Sequence, residues 1–226
     1  LAVKLAKKHK ARLHVLHLST AKELELFEQG TDYKRKNITA EVCIHHLWFH
    51  DGDYERKGPL IKWNPAVKSI RDRDSLIAAV LNDKIDVIAT DHAPHTIEET
   101  QSKYFKSPSG GPMVQHSLVA MLELVHQGKI SLEKVVEKMC HAPARLFEVK
   151  DRGFIEPGFK ADLVLVDMDR EWTVAHKNVH YKCGWSPLEG ETFRSAVSHT
   201  WVNGQLAYRE GLFNEMIRGE RLEFSR

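Results

Sequence analysis

Two kinds of hydrophobic pattern divide the chain near residue 150. Before that point, apolar runs typical of buried strands alternate with segments whose apolar residues recur every three to four positions, as in helices. The predicted strands cover residues 12–18, 38–44, 60–64 and 85–91. The predicted helices cover residues 1–9, 21–29, 71–81, 114–126, 132–140 and 143–147. Repeated strand–helix units of this kind predict a parallel sheet.

After residue 150 the pattern changes to short β segments, which we place at residues 153–155, 162–167, 172–175 and 196–208. Asn203-Gly204 separates two alternating apolar runs, and Asn-Gly in that setting favours a tight hairpin. We therefore expect two units, an α/β part over residues 1–150 and a β-rich part over residues 151–226. Within the first part, the stretch 97–112 has no clear hydrophobic periodicity, and we predict that it forms a long, functional loop.

The composition narrows the range of partners and settings. Of the 226 residues, 33 are basic and 31 acidic, and this balance gives no reason to expect nucleic acid or an anionic membrane as a partner. No apolar run is long enough to cross a bilayer. The three cysteines, Cys43, Cys140 and Cys183, are far apart and odd in number, so a reducing cytoplasm is the simplest setting. The chain starts with Leu1, and we expect it to begin inside a fold.

The strongest candidate for chemistry lies at the end of the apolar run 85–91. There the chain places Asp91 and the two imidazoles of His92 and His95, with Pro94 stiffening the turn. In barrels of parallel strands the reaction takes place at this end of the strands. The alternative is structural, with Asp91 capping the next segment and both histidines on the surface.

Histidines also accompany the first predicted strand. His14 and His17 are three residues apart, so they face opposite sides of an ideal strand and at most one points into a barrel. His17 is nearer the carboxyl end, and we favour it as a site residue. We expect His14 to pack between the strand and a helix.

Three further polar residues follow later strands. His45 and His46 come after the second strand and point apart, with no ligand partner at a helical or strand spacing. Asn64 ends the third, short strand, where its amide could hydrogen-bond a polar substrate, although Asn is also a common turn residue. Imidazoles and a carboxylate at successive strand ends suit zinc or a similar ion. A carboxylate beside such an ion can accept a proton from bound water.

Several short segments along the chain form a recognisable set. The segments in the first part are Leu16-His17-Leu18-Ser19-Thr20, Glu41-Val42, Ile44-His45-His46-Leu47, Lys62-Trp63-Asn64-Pro65 and Thr90-Asp91-His92-Ala93-Pro94-His95. Those in the second part are Gly153-Phe154-Ile155-Glu156-Pro157-Gly158, Ala161-Asp162-Leu163, Lys182-Cys183-Gly184-Trp185-Ser186-Pro187 and Thr200-Trp201-Val202-Asn203-Gly204. With these segments the chain resembles dihydroorotases, which belong to the amidohydrolase superfamily, and the resemblance covers essentially its whole length.

The resemblance implies a (β/α)8 barrel, here partial at about strands five to eight, with part of a small β-sandwich after it. It implies a centre of one or two zinc ions at the strand ends. His17 matches a metal-binding histidine after strand five. Asp91 matches the aspartate after strand eight, which binds the metal and carries the proton in catalysis. The reaction of the family is the reversible hydrolysis of dihydroorotate to N-carbamoyl-aspartate in pyrimidine synthesis.

The resemblance also implies substrate contacts. Asn64 and His95 match substrate-contacting positions, with His95 near the substrate carboxylate. Backbone groups around Gly110 and Gly111 occupy the place of a loop that holds the pyrimidine ring. The expected partner is therefore a small-molecule substrate, and we expect neither a nucleic acid nor a membrane as a partner. For the oligomeric state, we consider a homodimer.

Other metal ligands of the family belong upstream of residue 1. These are a His-x-His pair, a bridging lysine or aspartate, and a further histidine. One imidazole and one carboxylate do not complete a zinc site, which takes about four ligands. We therefore expect the chain to be the C-terminal part of a longer enzyme and to be inactive in isolation. Two alternatives remain, namely a hydantoinase or allantoinase and a non-catalytic, dihydroorotase-like assembly partner.

Overall fold

Three parallel strands form the sheet on which the candidate site depends. The computed structural model describes residues 1–225, and in it the strands β1 (Leu13–Val15), β2 (Ile38–Cys43) and β3 (Val87–Ala89) lie in the order β1-β2-β3. Leu13 is paired with Ile38, and Glu41 with Val87. The predicted parallel sheet is thereby confirmed, and the carboxyl ends of all three strands lie along one edge.

Eight α-helices accompany this sheet within the described residues. They are α1 (Ala2–His9), α2 (Ile44–Trp48), α3 (Tyr54–Lys57), α4 (Ile70–Leu81), α5 (Ile97–Thr100), α6 (Ser117–His126), α7 (Leu132–Val136) and α8 (Ala142–Leu146). A π-helical turn, Glu137–His141, joins α7 to α8. Ser69 caps α4 by accepting the N–H of Asp72, whose carboxylate accepts the N–H of Ser69 in return. None of the helices in residues 1–225 combines the length and apolar character needed to cross a bilayer.

Three predicted elements of the first part differ from the structure. The strand predicted at residues 60–64 is wrong, because residues 60 and 61 belong to a 3-10 helix, Gly58–Ile61, and Pro59 in its first turn has no N–H to donate to a sheet. The segment predicted as an α-helix at residues 21–29 is a shorter 3-10 helix, Lys22–Leu26. The first strand ends at Val15 and not at residue 18, and His17 beyond it has a φ of 39°. The sheet therefore has three parallel strands where the sequence suggested four.

The two faces of the sheet have different surroundings. Ala40 and Val42 of β2 and Ile88 of β3 belong to the main hydrophobic core, together with buried residues of α4 and α6. Because side chains alternate along a strand, Thr39 and Glu41 lie on the opposite face. That face would line the inside of a barrel.

The second part of the chain is β-rich, as predicted. Its strands are β4 (Leu163–Asp167), β5 (Trp172–Thr173), β6 (Thr192–Phe193), β7 (Ala196–Val202), β8 (Gln205–Arg209) and β9 (Leu212–Phe213). The order β4-β7-β8-β9 makes an antiparallel sheet, and β5 pairs with β6.

The hairpin predicted at Asn203-Gly204 is confirmed, with φ values of 50° and 79° at its two central residues. The β segment predicted at residues 153–155 is wrong, since the chain turns there with a φ of 84° at Gly153. Val174, Leu188 and Phe193 join the main core, so the β5–β6 region packs against the α/β part.

Candidate active site at the carboxyl ends of the parallel strands

The carboxyl edge of the sheet brings together the polar residues that follow each strand. His17 lies two residues after β1, and Asp91 lies two residues after β3. His45 and His46 lie in the first turn of α2, which follows β2 directly. The backbones of β1 and β3 are two strand spacings apart, roughly 10 Å. His17 and Asp91 therefore share one edge, on either side of the end of β2.

The backbone at His17 and at Asp91 adopts the left-handed conformation, with φ values of 39° and 45°. Only a few per cent of residues other than glycine do so, and such residues cluster at functional sites. Both residues lie just beyond the end of a strand. The alternation of side chains between the two faces of the sheet therefore does not fix the direction of the His17 or Asp91 side chain.

Both residues influence groups at the end of β2. Burial, assisted by the neighbouring His46 and His17, holds the pKa of His45 well below its ordinary value. Burial raises the pKa of the Cys43 thiol, and the carboxylates of Glu41 and Asp91 raise it further. Both buried groups at the end of β2 are therefore held in their uncharged forms.

His46 is also held neutral near this edge. Burial lowers its pKa to about 4, although the carbonyl of Pro65, 3.1 Å from Nε2, acts in the opposite direction. His45 and His46 stack obliquely, with ring centroids 4.2 Å apart. These two buried histidines lie at the carboxyl end of β2, the strand beside the one that precedes His17.

The indole of Trp63 connects the edge to the glycine loop at residues 107–113. It stacks on His45 on one side, and on the other it fills the space where a side chain at Gly111 would begin, with Cζ2 only 2.8 Å from that position. Asn64, the next residue, is exposed beside it. The predicted site residue Asn64 thus directly follows the indole that contacts both His45 and the position of Gly111.

The Asp91 segment and the glycine loop are hydrogen-bonded to each other. The N–H of Ala93 donates to the carbonyl of Gly111 at 3.3 Å, and His95 Nε2 lies 3.2 Å from the carbonyl oxygen of Ser109. Gly110, with a φ of 124°, passes directly over the carbonyl of Ala93. The structure therefore brings His95, Gly110 and Gly111 close together, and their role in substrate binding stays a prediction.

Lys62 holds the same loop from the other side. Its Nζ donates to the carbonyls of Tyr104 and Ser107 at 2.8 and 2.6 Å, and the N–H of Gly110 donates to the Lys62 carbonyl at 2.8 Å. Sequence reasoning missed this function of Lys62, because its partners are more than forty residues away.

His14 occupies the opposite face of β1 from the core. Its ring nitrogens lie 2.9 Å from the Thr39 hydroxyl and 3.1 Å from the Glu41 carboxylate, and Phe147, directly after α8, meets the ring edge-on. His14 thus lies on the face that would line the inside of a barrel, and the prediction that it packs between the strand and a helix is wrong.

His17 and Asp91 are the two residues predicted to bind a metal ion, and both follow strands of the parallel sheet. No group of three His, Cys, Asp or Glu side chains within residues 1–225 is arranged to hold an ion. A zinc site takes about four ligands, so this donor set does not complete one.

The parallel sheet, its outer helices and the polar carboxyl edge define an α/β protein whose candidate site lies where barrel enzymes place theirs. The amidohydrolase family model matches residues 2–207, and the chain belongs to this family. The family implies a metal-dependent hydrolase.

The most informative relatives are dihydroorotases. The one from Pyrococcus furiosus is 37% identical over 220 residues, which are 97% of this chain and 50% of that protein. The one from Clostridioides difficile is 34% identical over 205 residues, 90% of this chain and 48% of that protein. The chain thus spans about half the length of the curated relatives it matches.

Among solved structures, the L-hydantoinase (dihydropyrimidinase) from Arthrobacter aurescens superposes with a TM-score of 0.87 at 29% identity. It aligns with 94% of this chain, which covers 48% of the hydantoinase. An inactive dihydroorotase-like domain of a multifunctional protein from Chaetomium thermophilum gives a TM-score of 0.70 over 95% of this chain and 56% of that one, at 21% identity. At 21% identity, the similarity to the Chaetomium thermophilum domain concerns the fold alone.

Proposed function

We propose that these residues form the C-terminal part of a zinc-dependent dihydroorotase, which hydrolyses dihydroorotate reversibly to N-carbamoyl-L-aspartate in pyrimidine synthesis. The observation that carries the proposal is the 37% identity with the Pyrococcus furiosus dihydroorotase over 97% of this chain. The shared carboxyl edge of His17 and Asp91 supports it, since this is where such a site must lie.

The three parallel strands are then the last three strands of a (β/α)8 barrel. If β3, which precedes Asp91, is strand eight, β1 is strand six, so His17 follows strand six and not strand five. The antiparallel strands after residue 150 then belong to a small β-sandwich. In this arrangement residues 1–150 are the barrel part and residues 151–226 the sandwich part.

Each candidate residue has a chemical task in this proposal. His17 and Asp91 are metal ligands, and one or two zinc ions held by them need further ligands from outside these residues. Asp91 accepts a proton from the water that attacks the ring carbonyl and returns it to the departing ring nitrogen. Asn64 and His95 bind the substrate, with His95 facing its carboxylate, and backbone groups of Gly110 and Gly111 hold the ring.

A hydantoinase is the second candidate, favoured by the TM-score of 0.87 with the Arthrobacter aurescens enzyme. Hydantoin and dihydroorotate are both cyclic amides, but only dihydroorotate carries a carboxylate for His95 to bind. We propose the dihydroorotase because the sequence relatives at 33–37% identity carry that name. We further propose a small-molecule substrate, no nucleic-acid or membrane partner, a cytoplasmic location and a homodimer as the assembly to test.

The test is an assay of the whole enzyme on dihydroorotate, hydantoin and allantoin, combined with metal analysis. We expect turnover of dihydroorotate, bound zinc, and a loss of at least a thousandfold in kcat for Asp91→Asn. Asp169→Asn, a matched change at an exposed site, should retain full activity. Turnover of hydantoin without dihydroorotate would support the second candidate, and an active Asp91→Asn variant would remove Asp91 as the proton carrier. Residues 1–226 alone should show no turnover.

A further inference from the structure

The segment between β5 and β6 reaches the loop that carries His95. Trp185 in this segment is only 4% exposed, and its indole N–H donates to the backbone carbonyl of His95 at 2.9 Å. His95 lies four residues after Asp91, and ninety residues separate it from Trp185 along the chain. A residue of the β-rich part therefore holds the backbone of a predicted substrate-binding residue.

The same segment also contacts the far end of this loop, which we define here as residues 92–116. The Tyr181 hydroxyl accepts the N–H groups of Gln115 and His116 at 3.0 and 3.3 Å, and the Gln115 side-chain oxygen accepts the N–H of His180 at 2.8 Å. The ring of Tyr181 also lies against that of His92, with centroids 5.3 Å apart. Residues 180–186 thus contact the loop of residues 92–116 near both of its ends.

We propose that Trp185 is a positioning residue, which sets the place of His95 and thereby the affinity for a substrate that carries a carboxylate. The inference rests on the proposed function, because it takes His95 as the group that meets the carboxylate. Trp185 acts only through the His95 backbone. A side chain that binds a charged group must be held within about 0.5 Å of its productive place, and a buried donor on the adjacent carbonyl provides this restraint.

Within the loop, the contacts of the His95 ring are longer than the hydrogen bond that Trp185 donates to the His95 carbonyl. The His95 ring is 3.2 Å from the Ser109 carbonyl and 3.8 Å from the Glu99 carboxylate, and its side chain is 37% exposed. Loss of the indole N–H leaves the His95 carbonyl without this donor. The loop must then shift to satisfy the carbonyl, and the imidazole moves with it.

The test compares Trp185→Phe with Trp172→Phe in the whole enzyme. Trp172 is a matched control, since its indole N–H also donates to a backbone carbonyl, that of Ser195, at 2.9 Å. We expect Trp185→Phe to raise KM for dihydroorotate about three- to tenfold, with kcat nearly unchanged, as the loss of one neutral hydrogen bond predicts. Trp172→Phe should leave KM unchanged. In a His95→Ala background, Trp185→Phe should have no further effect on KM, because the two changes act on one contact.

A second measurement does not depend on activity. Hydrogen exchange of residues 91–113 should be about tenfold faster in Trp185→Phe than in the parent, and unchanged in Trp172→Phe. Equal exchange in the two variants overturns the proposal, and so does a KM effect that persists in the His95→Ala background. If the parent does not hydrolyse dihydroorotate, the proposed function fails, and the exchange result still decides whether Trp185 holds the His95 loop.

Discussion

The imidazole of His45 lies flat against the indole of Trp63, with ring centroids 4.1 Å apart and planes within 5° of parallel. Both side chains are buried, at 0% and 2% exposure. His45 is next to the edge that carries His17, and Trp63 supports Gly111 of the glycine loop. The stack therefore joins the proposed metal edge to the proposed substrate loop through two ring contacts.

Removal of the Trp63 indole should lower the stability of the protein. Trp63→Ala is expected to lower the free energy of unfolding by about 3–5 kcal/mol, because it leaves a cavity between His45 and Gly111. Trp63→Phe keeps a flat ring on the imidazole and should lose clearly less. Urea denaturation of the whole protein and the two variants measures the difference, and equal losses in both would show that stacking contributes little.

The glycine loop permits a direct test of steric contact. A methyl group at Gly110 would lie 2.2 Å from the Ala93 carbonyl oxygen, whereas one at Gly30 meets nothing within 4 Å. Their φ values are similar, 124° and 132°, so both alanine variants carry a similar backbone strain. Gly110→Ala should therefore be the less stable of the two and should also raise KM for dihydroorotate. Thermal unfolding and steady-state kinetics provide the comparison, and matching melting temperatures would argue against the contact.

A buried ion pair lies at the opposite end of the sheet. Lys36 Nζ is 2.6 Å from the Asp86 carboxylate, which is fully buried and also accepts the N–H of Ala40. Lys36→Met should lower the free energy of unfolding by about 3–5 kcal/mol, since it leaves a buried carboxylate without its partner. Lys150→Met, which breaks the exposed pair with Glu223, should cost about 0.5 kcal/mol or less. Denaturant titration of both variants tests the contrast.

Acid should destabilise the protein through His116. Burial, with a contribution from His180, lowers the His116 pKa to about 4, and its Nδ1 is 3.1 Å from the Ser186 hydroxyl. Between about pH 6.5 and 4 the unfolded chain binds a proton here that the folded chain does not, so stability falls as the pH is lowered. The loss from this group should reach about 3 kcal/mol near pH 4.

Unfolding measured from pH 7 to pH 4 checks this expectation. His116→Gln should flatten the dependence, whatever its effect on stability at pH 7, and His9→Gln at an exposed position should not. An unchanged slope in His116→Gln would assign the acid sensitivity to other groups, such as the buried His45 and His46.

Local sequence patterns alone determined several secondary-structure elements of this protein. The strand β2, the helices α4 and α6 and the hairpin at Asn203-Gly204 follow from apolar periodicity and turn chemistry, which act between neighbours in the chain. The placement of His17 and Asp91 on one edge also follows, because parallel strands align their carboxyl ends.

The tertiary structure alone decided the rest. The strand expected at residues 60–64 is replaced in part by a 3-10 helix, which ends two residues before Trp63. Trp63 stacks on His45 and contacts the position of Gly111, and no hydrophobic periodicity in the sequence relates these segments. The bond from Trp185 to His95 spans ninety residues in the same way. Contacts between distant segments leave no periodic trace in a sequence, since they depend on how the elements pack.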